Sequence, residues 1–229
     1  VNLGQCEYPY RKLFRPHVLV VYTHLSYLPK MSYDKLSIHF TAFEKERLKL
    51  YKDEHAKYEY AYSHFLLREI IKNEFYRSYD TLTFNFSEHD KPFSNDMNFN
   101  LSHSHGYLAF IFSRKLDVGI DVQQHVYLSD NNLSSIAETL FSEMDYKFIE
   151  TSSNKLVAFY KIWTQKESYG KAIGKGLLYP TRNVYVDSIQ NKVIDLIHHH
   201  PLEWRCETVH IHKEATVSYS YQITRKESM

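Results

Sequence analysis

Cysteine is almost missing: Cys6 and Cys206 are the only two in 229 residues. Two thiols give no disulfide scaffold and no zinc spacing, so the expected setting is reducing and cytoplasmic. Net charge is just +1, which excludes the broad basic field of a nucleic-acid binder. Long hydrophobic runs are absent too. The apolar run at 17–22 is far too short to span a bilayer, and no signal-peptide pattern appears, so no membrane partner is expected. No segment is low in complexity. Glycine is scarce, six in all, yet three of the six, Gly170, Gly174 and Gly176, crowd into seven positions.

Aromatic residues are plentiful, with 20 tyrosines and 14 phenylalanines, a composition that favours strands and packed aromatic surfaces. The length suits one large domain or two small ones with a substantial core. Residues 18–23 (VLVVYT) predict a buried strand. The stretch 43–76 predicts two helices with a turn near His55; its Arg47, Lys49 and Lys52 can reach an anion or simply form a solvated face. Residues 81–87 alternate like a strand. A strand at 97–104, with a short turn formed by Ser102, His103 and Ser104, leads into a second strand at 107–112. Residues 118–123 (VGIDVQ) predict another strand, with Asp121 and Gln123 on one side and Ile120 and Val122 on the other. SEMD at 142–145 fits a capping box. The tail is rich in strands, at 183–186, 193–197, 204–212 and 216–223, the last two forming a hairpin. The order strand–helices–strands occurs twice and predicts two α+β halves joined near 114–117.

The run WTQKESYGKAIGKGL (163–177) carries the densest chemistry. On a continuing helix, Glu167, Gly170, Lys171 and Gly174 share one face, placing an acid and a cation beside two positions without side chains. A bulky anionic ligand, and with it a metal ion, fits that pattern; so does a surface Glu–Lys pair followed by a glycine cap. Asp121 is a second carboxylate, costly to bury on an apolar strand without a partner or a metal. Converging from strand and helix, Asp121 and Glu167 can bind one Mg²⁺ when a pyrophosphate supplies further oxygens, with Gln123 a weak or water-mediated ligand. Ser102, His103 and Ser104 can hold phosphate oxygens or merely form a local turn. A Ser–His catalytic pair is excluded by their adjacency. His198, His199, His200, His210 and His212 lack the further ligand that a structural metal site requires.

Three segments in fixed order, FNLSHS (99–104), VGIDVQ (118–123) and WTQKESYGKAIGKGL, resemble the 4′-phosphopantetheinyl transferase superfamily in its larger, two-lobed, surfactin-synthetase-activating type. The family's W-x-x-K-E-[AS]-x-x-K run is matched at Trp163, Lys166, Glu167, Ser168 and Lys171. Lys91-Pro92 is similar to its G-K-P, with Asp90 replacing the glycine.

The resemblance implies a pseudo-dimer of two similar α+β lobes, 1–113 and 114–229, with coenzyme A in the cleft between them. The enzyme would move phosphopantetheine to a serine of an acyl or peptidyl carrier protein and release adenosine 3′,5′-bisphosphate. Asp121 and Glu167 would hold Mg²⁺, or Mn²⁺, on the pyrophosphate. Lys166 and Lys171 would neutralise charge, and Lys91, Ser102 and His103 would contact the nucleotide's phosphates. Glu167 would also serve as base, and Lys171 would assist the leaving phosphate. Gln123 stands where many members carry an acid, and Asp145 could help from behind. The expected state is a monomer. The competing reading is a coenzyme A or nucleotide-binding module without catalysis; a phosphoesterase would need more acids or histidines near Asp121.

Overall fold

The computed structural model describes residues 11–15, 17–75, 84–86, 92–94, 97–176, 179–187, 190–197, 203–211 and 214–223. In chain order the elements are β1 (Arg11–Arg15), β2 (Val18–His24), α1 (Tyr33–Leu36), α2 (Ala42–Leu50), α3 (Glu54–Phe75), β3 (Asn85–Phe86), β4 (Pro92–Phe93), β5 (Asn98–Ser104), β6 (Tyr107–Ser113) and β7 (Val118–Gln124). They continue with α4 (Asp130–Leu140), α5 (Glu143–Thr151), α6 (Lys155–Ala172), β8 (Val184–Asp187), β9 (Lys192–Asp195), β10 (Glu203–Ile211) and β11 (Ala215–Ile223). The fold is α+β, with antiparallel sheets in the orders β1-β2-β6-β5 and β7-β11-β10-β9-β8 and a small β3-β4 pair.

The first sheet is buried on both faces, which explains why β2 and β6 read as nearly unbroken apolar runs. Leu19 and Val21 of β2, with Leu108, Phe110 and Phe112 of β6, pack under α2 and α3. The alternate residues Val18, Val20, Tyr22, Ala109 and Ile111 meet Ile120, Val122, Val217 and Tyr219 of the second sheet in a shared core. The other face of the second sheet receives α6.

A path is traced twice. An opening strand is followed by helices and then a hairpin, and the opening strand lies antiparallel to the hairpin's second member. This gives β2-β6-β5 in the first half and β7-β11-β10 in the second.

Helix ends follow local chemistry. Thr41 with Glu44 and Ser142 with Asp145 form capping boxes for α2 and α5. Asp53 Oδ1 accepts from Ala56 N at 2.7 Å. The break between α2 and α3 therefore falls before Asp53 rather than at His55, which sits in the first turn of α3. Glu44 is buried and ties α2 to α3, taking Arg68 at 2.6 and 2.9 Å and His64 at 2.6 Å. Among the described residues no helix is long and apolar enough to cross a membrane. Most of the expected strand at 81–87, Lys91 and the His198–His200 tract lie outside the described residues.

Candidate active site

The strand β7 brings Gly119, Asp121 and Gln123 to the face under α6, as the two-residue period requires. Gly119 fixes how closely the helix approaches. A Cβ there would lie 2.1 Å from Ser168 O and 2.4 Å from Ala172 N, both backbone atoms of α6. The helix is settled further by small hydroxyls: Thr164 reaches Ser218 at 2.7 Å and Ser168 reaches Ser220 at 2.8 Å. With backbone against backbone, side chains one turn apart on α6 overhang the strand.

Those side chains are Glu167 and Lys171. Lys171 Nζ donates to Asp121 Oδ1 at 2.6 Å and to Ser102 Oγ at 3.0 Å. Ser102 Oγ donates to the same Asp121 oxygen at 2.9 Å. Asp121 is 2 % exposed and Glu167 7 %. Burial, together with the facing Asp121 charge, pushes the Glu167 carboxyl up to about 7, with Lys171 pulling the other way. Two acids from distant segments thus share one largely buried space with one cation, an arrangement that favours a further positive charge.

Beside Glu167 opens a cleft of about 360 Å³ lined by Phe141, Trp163, Lys166, Tyr179 and Arg182 among others. Among the described residues no group of three or more His, Cys, Asp or Glu side chains could hold a metal ion unaided. Two carboxylates do fit Mg²⁺, which takes few protein ligands when waters and phosphate oxygens complete its shell.

Residues 117–224 match the family model of the 4′-phosphopantetheinyl transferase superfamily. That segment belongs to the superfamily. Asp121, Glu167 and Lys171 all fall inside the match.

Among curated proteins, the chain is 33 % identical over 118 residues to the 4′-phosphopantetheinyl transferase gsp of Aneurinibacillus migulanus, covering 50 % of this chain and 48 % of that one. It is 29 % identical over 120 residues to the 4′-phosphopantetheinyl transferase Sfp of Bacillus subtilis (strain 168), covering 50 % and 51 %. A third, the 4′-phosphopantetheinyl transferase ffp of Bacillus subtilis, is 26 % identical over 152 residues, covering 64 % and 66 %. The chain thus spans about half the length of the first two relatives.

Other residues expected at a phosphopantetheinyl transferase site take different partners. Lys166 is buried and turned aside: Nζ contacts Asp145 Oδ2 at 2.8 Å, Thr181 O at 2.7 Å and the Val184 carbonyl. Its three donors are spent there, so Lys166 is a structural cation at the wall of the cleft and not a free charge beside Lys171. Burial lowers its pKa, with the Asp145 carboxylate opposing. Asp145 therefore both caps α5 and pairs with Lys166.

Gln123 Nε2 donates to Asp121 Oδ2 at 3.3 Å, while its Oε1 accepts from Ser104 at 3.3 Å. The amide thus turns its nitrogen, not its oxygen, toward Asp121. Ser102, His103 and Ser104 belong to β5 and not to a turn; the turn is His105-Gly106.

Adjacent strand residues face opposite ways. His103 accordingly points away from Asp121 and donates to Glu59 Oε2 of α3 at 3.1 Å. Glu59 also accepts from Gly106 N. Burial works against the Glu59 charge, but these bonds hold its pKa below the usual value. Glu59 drew no attention in the sequence because it looks like any charged residue on an amphipathic helix.

The glycine cluster also resolves. The helix α6 stops at Ala172, and Gly174 follows with φ +75°. Gly174 N donates to Lys171 O at 3.2 Å and Lys175 N to Gly170 O at 2.9 Å, a Schellman end that needs a residue tolerant of the left-handed region. Gly174 therefore lies beyond the helix and does not share the Glu167 face.

Proposed function

We propose that this protein transfers the 4′-phosphopantetheine arm of coenzyme A to a serine hydroxyl of an acyl or peptidyl carrier protein. One observation carries the reading: Asp121 and Glu167, 46 positions apart in the sequence, share a single buried space with Lys171 between strand and helix. The relatives' names support the same chemistry. Coenzyme A would lie between halves 1–113 and 114–229, and the repeated strand path supports a chain that acts as a monomer. The cytoplasm, where coenzyme A and thiols are both at home, is the setting that goes with it.

In the transfer, the serine oxygen bonds to the pantetheine-side phosphorus while the phosphoanhydride bond breaks. Adenosine 3′,5′-bisphosphate leaves with the bonding pair, and the serine proton passes to a base. Mg²⁺ on Asp121 and Glu167 would supply neutralisation of the diphosphate charge. Glu167 would take that serine proton on a carboxyl oxygen, directly or through a water on the ion. Lys171 would balance charge on the departing phosphate. Asp121, tied to Ser102 and Lys171, keeps the pair in register.

A binding module without catalysis is the second reading, favoured by a neutral amide, Gln123, standing beside Asp121 where many members of the family carry an acid; such a module has less use for an acid buried beside Asp121, as Glu167 is. The test is incubation with coenzyme A, Mg²⁺ and a panel of unmodified carrier proteins, followed by intact-mass measurement. One added phosphopantetheine per carrier is expected. Binding of coenzyme A with no carrier modified would favour the module.

A further inference from the structure

Among the described residues the strand β7 is an edge of its sheet, paired only with β11. An edge strand ordinarily leaves every second N–H without a ladder partner. Here three of those groups end on side chains of β5, the edge of the other sheet. Ile120 N donates to Asn100 Oδ1 at 2.9 Å, Val122 N to Ser102 Oγ at 3.3 Å and Gln124 N to Ser104 Oγ at 3.2 Å. Asn98 continues the row, its Nδ2 donating to Leu116 O at 3.0 Å. Small polar residues at every second position of β5 thus form a comb whose teeth engage the backbone on either side of Asp121.

The Ser102 tooth does more. A hydroxyl has one hydrogen and two lone pairs. Its hydrogen goes to Asp121, and its lone pairs take Lys171 Nζ and Val122 N. All three of its hydrogen-bonding positions are thus taken within the protein.

We propose that Asn100 and Ser102 are positioning residues: they lock β7 in register against β5 and aim Asp121 and Lys171, without gripping the nucleotide. The inference deepens the transferase reading and rests on it only where catalysis is invoked. Ser102 thereby changes from the phosphate contact that the family resemblance implies to the hub of the carboxylate site.

The test has two arms. Backbone amide hydrogen exchange by NMR on the unaltered protein needs no variant. The Ile120, Val122 and Gln124 amides should be protected as strongly as the β7 amides facing β11; rapid exchange at all three would overturn the comb. In Asn100→Ala the Ile120 amide, and in Ser102→Ala the Val122 amide, should exchange at least tenfold faster than in the parent, and unchanged rates would count against it.

The second arm is carrier-protein transfer by Ser102→Ala. A fall in kcat of about tenfold, about 1.4 kcal/mol, with KM for coenzyme A within twofold is the outcome of positioning. A raised KM with kcat intact would mean that Ser102 holds phosphate, and would overturn the proposal. If the parent protein transfers nothing, the function is misassigned, and the exchange arm still judges the comb.

Discussion

Replacing Glu167 with glutamine should silence transfer and at the same time make the protein more stable above neutral pH. In the unfolded chain the carboxyl titrates near 4.5; in the folded chain it is pushed up to about 7, first by burial and then by Asp121. Between those values the unfolded chain has lost its proton and the folded one keeps it. Stability therefore falls as pH rises through that window and levels off above it. Below pH 4.5 both states are protonated and the group contributes nothing. At about 1.4 kcal/mol per pH unit the full cost is about 3 kcal/mol. Water at the mouth of the cleft screens part of the charge and brings it to about 2 kcal/mol. Glutamine has the shape of the protonated acid and no charge to bury.

Glu167→Gln should thus match the parent protein at pH 4.5 and exceed it by about 2 kcal/mol at pH 8, which for a chain of this length is a rise in Tm of roughly 4–8 °C. Urea unfolding of both proteins across pH 4.5–8 measures the difference directly, because titrating groups not coupled to Glu167 contribute equally to both. Equal stability at pH 8, or a gain that is already complete at pH 4.5, would refute the argument that a buried charge at this position strains the fold.

Three further outcomes follow from the same geometry. Gly119→Ala puts a methyl against two α6 backbone atoms that cannot swing away, so α6 must move; a loss of about 3 kcal/mol in thermal or chemical unfolding, with loss of transfer, is expected. Lys171→Met removes the cation that restrains Glu167, so the Glu167 midpoint, followed by carboxyl carbon NMR, should rise above its parent value while transfer falls. Arg68→Met strands the buried Glu44 charge and should cost about 3–5 kcal/mol in urea unfolding. Burial opposes ionisation of Glu44, but hydrogen bonds from His64 and Arg68 hold its pKa at about 2. The stability it lends is present above pH 4.5 and is lost as pH falls toward 2; the variant should lose its acid resistance at a higher pH than the parent.

Much of this was legible in the order of residues. The continuous apolar runs of β2 and β6 follow from burial on both faces. The alternation of VGIDVQ places Asp121 and Ile120 on opposite sides, as observed. SEMD and the helix bearing Glu167 and Lys171 are equally local signals. What the sequence hid depends on distant segments meeting. The pairing of Lys166 with Asp145 cannot be inferred from spacing, because the same lysine next to Glu167 looks like part of one cationic cluster. Gly119 reads as a weak strand residue until α6 lies on it. The comb of Asn98, Asn100, Ser102 and Ser104 is visible as an alternation of small polar residues, but its meaning appears only when another sheet edge stands beside it. The direction of His103, away from Asp121, follows from the strand period once Ser102 and His103 are placed in β5 instead of a turn.

The claim beneath the whole account is that Asp121 and Glu167 jointly accept one divalent cation, with Glu167 giving up its proton to do so. Titration calorimetry with Mn²⁺ at pH 6, 7 and 8 tests it most directly. One ion per chain should bind, with affinity climbing roughly tenfold per pH unit below 7 and levelling off above it, and Glu167→Gln should bind weakly without that pH dependence. Affinity that ignores pH across this range, or that survives Glu167→Gln unchanged, would contradict the shared site.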